Sequence, residues 1–569
     1  MESAPMTRRW KVAAVAAVLF VLLLAVALIW WLRSTMLESP AEMSARAALS
    51  AQAFRESYLD PSEGKISSRR AACAACHMNH GKFDPRRWNF LHDRAQLSRS
   101  EWANKILLPV KCGVCHVVPF PAMLPRQSWI ESIARMDHIA EARGTMKLNA
   151  DERLDVLHFY LTFSPEQLVP LANDPDPARS PIKFLASVFG NPRNPDTRVR
   201  PVLGHVQIAD LDRDGQPDVL VCDTDKSQVN WVHRTNGVWR EETLASAPNP
   251  VHTQLVTNAL TGRLDIVVAC QRVLEPTDEP VGSVVLLRNG DAMRFTSEKI
   301  LEGIGRVADV EPGDFDGDGD VDFVVAAYGF IKTGEVGWLE KKTEAKFVYH
   351  VIVKRAGAIH VLPTDLDGDG RLDFVALFAQ EHEQVSAFIN DGSGGFRERV
   401  LFKAATPSFG SSGIQLVDLD GDGDLDILYT NGDNMDLPTV IPRPYHGVQW
   451  LENKGNLNFE WHDIHRFYGA YSTAVADLNR DGLPDIVVTS MFNDWDDPKR
   501  ASLIWLENLG GQRFAAHGIA RVPTQLISIA VEDLDGDGWP DIVASGMYAF
   551  GPVDRMSRLT LWTNRHLRR

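Results

Sequence analysis

One acidic motif sets the architecture of this 569-residue chain. It reads Asp-x-Asp/Asn-x-Asp-Gly-x-x-Asp, runs into an apolar strand, and begins at Asp210, Asp314, Asp365, Asp418, Asp477 and Asp533. The interval is about fifty residues, which indicates a propeller or a solenoid built from one repeated unit. The gap from Asp210 to Asp314 is of double length. Inside it, Thr257–Val268 reads TNALTGRLDIVV, where Gly262 and Asp265 keep their places and the first three carboxylates are gone. The count is therefore seven repeats, six of them intact. A second element follows the motif at Trp338-Leu339-Glu340, Trp450-Leu451-Glu452-Asn453 and Trp505-Leu506-Glu507-Asn508. These read as third strands of four-stranded blades. Seven blades over residues 183–569 predict a closed all-β propeller, an arrangement that protects its sheet edges. Lys183–Val188 repeats the fourth-strand pattern of Arg513–Ile519, and the last repeat lacks a fourth strand of its own. That early segment is predicted to pair with the strand at 558–563 and close the ring.

Oxygen ligands at alternate positions, with Gly at the tight bend, wrap a hard cation such as Ca2+. The candidate ligands are Asp210, Asp212, Asp214 and Asp218; Asp314, Asp316, Asp318 and Asp322; Asp365, Asp367, Asp369 and Asp373; Asp418, Asp420, Asp422 and Asp426; Asp477, Asn479, Asp481 and Asp485; and Asp533, Asp535, Asp537 and Asp541. Up to six Ca2+ are expected, and none in the Thr257 repeat. An EF-hand would need Glu at loop position twelve and flanking helices. The Asp314 loop has Val325 there, inside a strand pattern. The loops resemble FG-GAP or VCBS repeats, as in integrin-type seven-bladed propellers, over residues 183–569.

A different chemistry precedes the repeats. Cys73-Ala74-Ala75-Cys76-His77 and Cys112-Gly113-Val114-Cys115-His116 are both Cys-x-x-Cys-His, the attachment signal of c-type haem. Two thiols hold the haem, and the adjacent imidazole serves as proximal iron ligand. The competing reading is one zinc site from two Cys-x-x-Cys pairs. That site does not require His directly after the second Cys, yet His stands there both times. Two covalent haems are expected. The fusion resembles bacterial FG-GAP-repeat cytochromes. The segment from Cys112 to Met136, with Pro119, Pro121 and Trp129, resembles small c-type cytochromes with a Trp-then-Met element after the haem motif. The first haem segment departs from that pattern.

A sixth ligand must approach from the face opposite the proximal His. That disfavours His80 for the haem at His77 and leaves His92 as the next candidate. Met136 is the candidate for the haem at His116, with Met123 and Met146 as rivals. A Met–His haem has a higher potential than a bis-His haem, so the two sites would differ.

Residues 12–32 are uncharged and apolar, about the twenty needed to cross a bilayer. Arg8, Arg9 and Lys11 precede them, which places the N-terminus in the cytoplasm; Trp30 and Trp31 stand where an interfacial belt belongs. A cleaved signal peptide would have a shorter apolar region. The expected location is the inner membrane, single-pass, with the bulk periplasmic or otherwise extracytoplasmic, where c-type haem is normally attached. The domain reading is a multidomain chain: residues 1–35 a transmembrane anchor, 36–65 a spacer, 66–165 a small α-helical dihaem cytochrome c domain, 166–182 a linker and 183–569 the propeller. A net charge of −16 argues against nucleic acid as a partner. Cys222 and Cys270 each follow an apolar run and read as buried core thiols.

Five residues before each loop, on the innermost strand, stand His205, His252, Asp309, His360, Gly413, Ser472 and Ser528. Innermost strands surround the channel, so the first four converge near the axis if the blades close as predicted. Imidazoles with a carboxylate suit Fe, Cu or Zn. The alternative is unrelated polar residues lining a wet channel mouth. Long second-to-third-strand loops, including Gln380–Glu383, share that end, and clustered loops carry function. Three functions compete: electron transfer through the haems to a redox partner protein; an oxidoreductase with a metal or substrate site on the axis; and a propeller gripping a protein, glycan or small-molecule ligand.

Overall fold

The computed structural model describes residues 103–113, 116, 118–145, 147–171, 177–190, 200–435 and 440–565. The anchor, the spacer, Cys73, Cys76, His77, His92 and Cys115 lie outside the described residues. Among the described residues no helix is long and apolar enough to cross a membrane.

Seven β-sheets are present among the described residues; five are meanders in chain order, and two take an outer strand from upstream of the repeats. Blade 1 comprises Leu203–Ala209, Asp218–Asp223, Gln228–Thr235 and Val238–Ser246. Blades 2 to 6 follow with the same plan, and the first strands of neighbouring blades touch one another in an unbroken circle. The first strand of blade 7, Leu526–Glu532, returns to Leu203–Ala209. This closes the ring and defines the axis. The second strands are the most buried: Asp218–Asp223, Asp322–Ala327, Asp373–Phe378 and Asp541–Gly546 are buried at every residue. Their unbroken apolar runs follow from being covered on both faces by the neighbouring blades. Cys222 and Cys270 lie in two such strands, fully buried. Burial pushes the Cys270 thiol up to about 12 and Cys222 further, so both stay protonated.

The last blade has three strands of its own, and Lys183–Val188 supplies the fourth. It pairs antiparallel with Leu559–Arg565, from Lys183 opposite Arg565 to Val188 opposite Thr560. The predicted closure is observed. The stretch read as a linker also contributes structure. Ala178–Arg179 runs parallel to the outer strand of blade 6, Phe514–Ala520, and the Trp505 indole donates to Ser180 Oγ at 2.9 Å. Two residues are too few to show a strand period, so the sequence displayed only their Pro- and Asp-rich surroundings.

Before the propeller lie a wide helical stretch, Ala103–Cys112, and helices α1 (Ser128–Arg143) and α2 (Ala150–Phe163). Helix α2 opens with a reciprocal cap: Asn149 Oδ1 accepts the Glu152 N–H and Glu152 accepts the Asn149 N–H. Helix α1 ends at Gly144, whose φ of 67° suits a left-handed stop. The core is aromatic: Trp129 of α1 stacks on Tyr160 of α2 with centroids 3.9 Å apart. Their polar tips reach backbone carbonyls, Trp129 to Pro121 and Tyr160 to Pro119. This helical segment is tied to the propeller. Arg143 pairs with Glu381 and donates to the Ile331 carbonyl, and the Leu171 N–H donates to the Tyr468 hydroxyl.

Candidate functional site

The acidic loops share one internal geometry. The first carboxylate accepts the N–H of the sixth residue: Gly215 to Asp210 at 2.9 Å, Gly319 to Asp314 at 3.0 Å, Gly370 to Asp365 at 2.9 Å, Gly423 to Asp418 at 3.1 Å, Gly482 to Asp477 at 2.9 Å and Gly538 to Asp533 at 2.7 Å. Each of these glycines has a positive φ, so the tight bend is the reason for Gly. The ninth carboxylate is a knot. Asp541 accepts from Leu534 within the loop and from Asn564 at the end of the third strand. Asp322, Asp373, Asp426 and Asp485 accept the same pair of bonds, with Lys341, Asn390, Asn453 and Asn508 as the third-strand donors. The backbone N–H of the residue after Trp-Leu-Glu, whether Lys341, Asn453 or Asn508, therefore holds the third strand to the loop.

The third and ninth carboxylates approach the first. One oxygen from each of Asp210, Asp212 and Asp218 lies within 4.8 Å of the others; Asp314, Asp316 and Asp322, and Asp365, Asp367 and Asp373, do likewise. Burial is the main cause that raises Asp218, Asp322, Asp426 and Asp541 to about 6 and Asp485 to about 7, with neighbouring loop carboxylates adding to it. The degenerate repeat keeps one buried carboxylate in place of the cluster. Thr257 stands in the first ligand position; its neighbour Asn258 donates to Asp265 at 2.8 Å, while the Arg288 guanidinium lies 3.3 Å from the same carboxylate.

On the axis, the structure brings His205, His252, Asp309 and His360 together. A β-bulge interrupts the first strand immediately before each of them, between Leu203 and His205, Pro250 and His252, Val307 and Asp309, and Ala358 and His360. Bulges re-aim side chains. Asp309 is the hub and is 1% exposed. Its Oδ1 lies 2.7 Å from His252 Nδ1 and its Oδ2 lies 3.4 Å from His360 Nδ1. It also accepts the N–H groups of Val310 and Val361. The His205 and His252 rings lie 4.2 Å apart, and His205 Nδ1 accepts the Thr253 N–H.

Glu311 was not singled out by the sequence reading. Its Oε1 is 4.0 Å from His252 Nε2. It accepts from Gln254, and Gln254 accepts in turn from Gln207. The signal was available: residues two apart on a strand share a face. Counting two on from the His offset gives Gln207, Gln254, Glu311 and Gln415 in blades 1, 2, 3 and 5.

The charges in this cluster bind one another. Burial opposes a charge on His252, but Asp309 and then Glu311 outweigh it and raise the imidazole to about 9. Burial opposes ionisation of Asp309 as well, yet His252 and His360 hold it well below the carboxylate range. Burial and then Asp309 raise Glu311 to about 8. Burial and then His252 depress His205.

At the second Cys-x-x-Cys-His motif, Cys112 ends the wide helix, and both it and His116 are partly buried. Met136 stands 42% exposed on the α1 face that carries buried Trp129 and Ile133. Met123, its rival, is buried.

Comparison with known proteins agrees with the repeat geometry. A family model described as an FG-GAP-like repeat matches residues 260–325, 365–429 and 431–488. The chain thus carries FG-GAP-like repeats folded as a seven-bladed β-propeller. It is 26% identical over 281 residues to a T-cell immunomodulatory protein homolog of Plasmodium yoelii yoelii, covering 43% of this chain and 39% of that protein. A homolog of the same name from Plasmodium falciparum is 26% identical over 284 residues, covering 43% and 38%. The chain therefore spans about two fifths of the length of these relatives. A crystal structure of BBS1N in complex with ARL6DN, soaked with lead, aligns at a TM-score of 0.42 with 11% identity, covering 68% of this chain and 99% of that one.

Proposed function

We propose that this chain is a membrane-anchored, outward-facing dihaem electron-transfer protein whose propeller is held by calcium. The observation that carries the reading is the doubled Cys-x-x-Cys-His, at Cys73–His77 and at Cys112–His116. The uncharged run at 12–32 supports it, because it directs the motifs outside the cytoplasm. A covalently held haem supplies an iron that accepts and releases one electron. The residues of this chain would do the rest. Cys112 and Cys115 would fix one ring, and Cys73 and Cys76 the other. His116 and His77 would be the proximal ligands, with Met136 and His92 as candidate sixth ligands. The described surroundings of the second motif support the reading: Cys112 closes the Ala103–Cys112 helix, and Pro119 and Pro121, just beyond His116, are held through their carbonyls by Tyr160 and Trp129. The propeller loops would bind up to six Ca2+, and a redox partner protein would receive the electrons.

Replacing Cys76 or Cys115 singly with Ala should reduce the covalent haem count from two to one. Haem-stained denaturing gels and the pyridine haemochrome spectrum read this directly. Full haem content in both variants would refute the assignment.

A further inference from the structure

We propose that His252, Asp309, Glu311 and His360 form a binding site for one divalent first-row transition ion, open to the channel at the loop-rich end of the propeller. The four side chains come from the innermost strands of blades 2, 3 and 4, so the packing of three neighbouring blades assembles them. One ligand atom from each of His252, Asp309 and Glu311 lies within 4.8 Å of the others. Atoms that share a cation at about 2.0–2.2 Å sit roughly 3.0–3.5 Å from one another. Of the Asp309 contacts, the 3.4 Å to His360 falls within that spacing and the 2.7 Å to His252 just below it.

At the centre of the cluster His252 Nδ1 is shut off from solvent with an Asp309 carboxylate oxygen 2.7 Å away. In the cation-free fold the two form an ion pair, and a bound cation would take the place of the proton between them.

With a divalent ion bound, Asp309 and Glu311 as carboxylates would supply the two negative charges that neutralise it. Two imidazoles with carboxylates suit Fe2+ or Zn2+ and suit Ca2+ poorly. Gln254 holds Glu311 from outside the cluster, as an outer-shell group does. His205 is excluded from the ligand set. Its Nδ1 accepts the Thr253 N–H, so the neutral ring carries its proton on Nε2 and presents no lone pair there. His360 is 31% exposed, which leaves the cluster accessible from the channel. Ile331 and Glu381, which hold Arg143 of the helical segment, lie in second-to-third-strand loops of blades 3 and 4 at this same end.

The test is zinc uptake by the full chain. The protein is stripped with a strong chelator, returned to excess calcium so that the acidic loops are saturated, and titrated with Zn2+ under calorimetry. Elemental analysis of the dialysed product gives the stoichiometry. Wild type and His205→Ala should each retain one zinc per chain. His252→Ala and His360→Ala should bind zinc at least about 100-fold more weakly, beyond the effect typical of an outer-shell change. Thermal melting of each variant in calcium verifies that the ring is intact, and His360→Ala, at a partly exposed position, keeps the test decisive if His252→Ala does not fold. Wild type without zinc, or a folded His360→Ala variant binding zinc as tightly as wild type, would overturn the proposal. Equal loss in a folded His205→Ala variant would overturn the ligand set.

Discussion

A chain ending at Arg558 should fail to form the propeller. The lost strand, Leu559–Arg565, is the third strand of blade 7 and, among the described residues, the one strand that pairs with Lys183–Val188, so one cut removes one strand and strands another. It carries Leu559, Leu561 and Trp562, exposed by 1%, 6% and 2%. Burying such side chains contributes about 1.5–3 kcal/mol each, so about 5–9 kcal/mol is lost. That rivals the 5–15 kcal/mol net stability of an ordinary domain. Asn564, which clamps Asp541 and donates to the Leu478 carbonyl of blade 6, is lost as well. Circular dichroism and limited proteolysis measure the outcome. The truncated chain should show no cooperative β melting and rapid cleavage throughout residues 200–558. Melting within a few degrees of the full chain would show that the ring does not depend on this closure.

Chelation should lower the melting temperature of the full chain by at least about 5 °C, and added Ca2+ should restore it. A ligand that binds only the folded state, at a free concentration of 100 times its Kd, stabilises by about 2.7 kcal/mol per site. Six loops offer such sites. The effect has a pH signature. In the cation-free fold the ninth-position carboxyls of blades 1, 3, 5 and 7 are raised to about 6 and that of blade 6 to about 7. A raised carboxyl means that the folded state binds more protons than the unfolded one between its ordinary value near 4 and the raised value. Cation-free stability from these groups therefore falls as pH rises through that window. Protons and Ca2+ compete for the same oxygens, so the stabilisation by calcium should shrink as pH drops below about 6. A melting temperature unchanged by thorough chelation at neutral pH would refute structural calcium.

The propeller was legible because its repeated positions each have a physical necessity. Gly215 and its counterparts must take a positive φ, and the ninth Asp ties the loop to the third strand, as at Asp322, Asp373, Asp426, Asp485 and Asp541. Such requirements recur in every blade and so appear as a period. The ring closure was legible for a related reason, since a blade without its fourth strand must find one elsewhere. The axial residues could be aligned by one offset because the run from the innermost strand into the acidic loop has one length in blades 1 to 4. What the alignment missed followed from using only that offset. Glu311 sits two residues past Asp309 on the same strand face, and Gln254 sits two past His252. The distinct part of His205 was beyond sequence reading. It depends on which ring nitrogen meets the Thr253 N–H, and that is decided by the packing of blade 1 against blade 2. The strand at Ala178–Arg179 was hidden as well, because an edge pairing of two residues leaves no hydrophobic pattern.

The most direct test of the proposed electron-transfer role is the pyridine haemochrome spectrum of the purified full chain, set against its protein concentration. Two c-type haems per chain, retained on a denaturing gel, are the expected result. A chain that holds zinc on its cysteines and carries no covalent haem would contradict it.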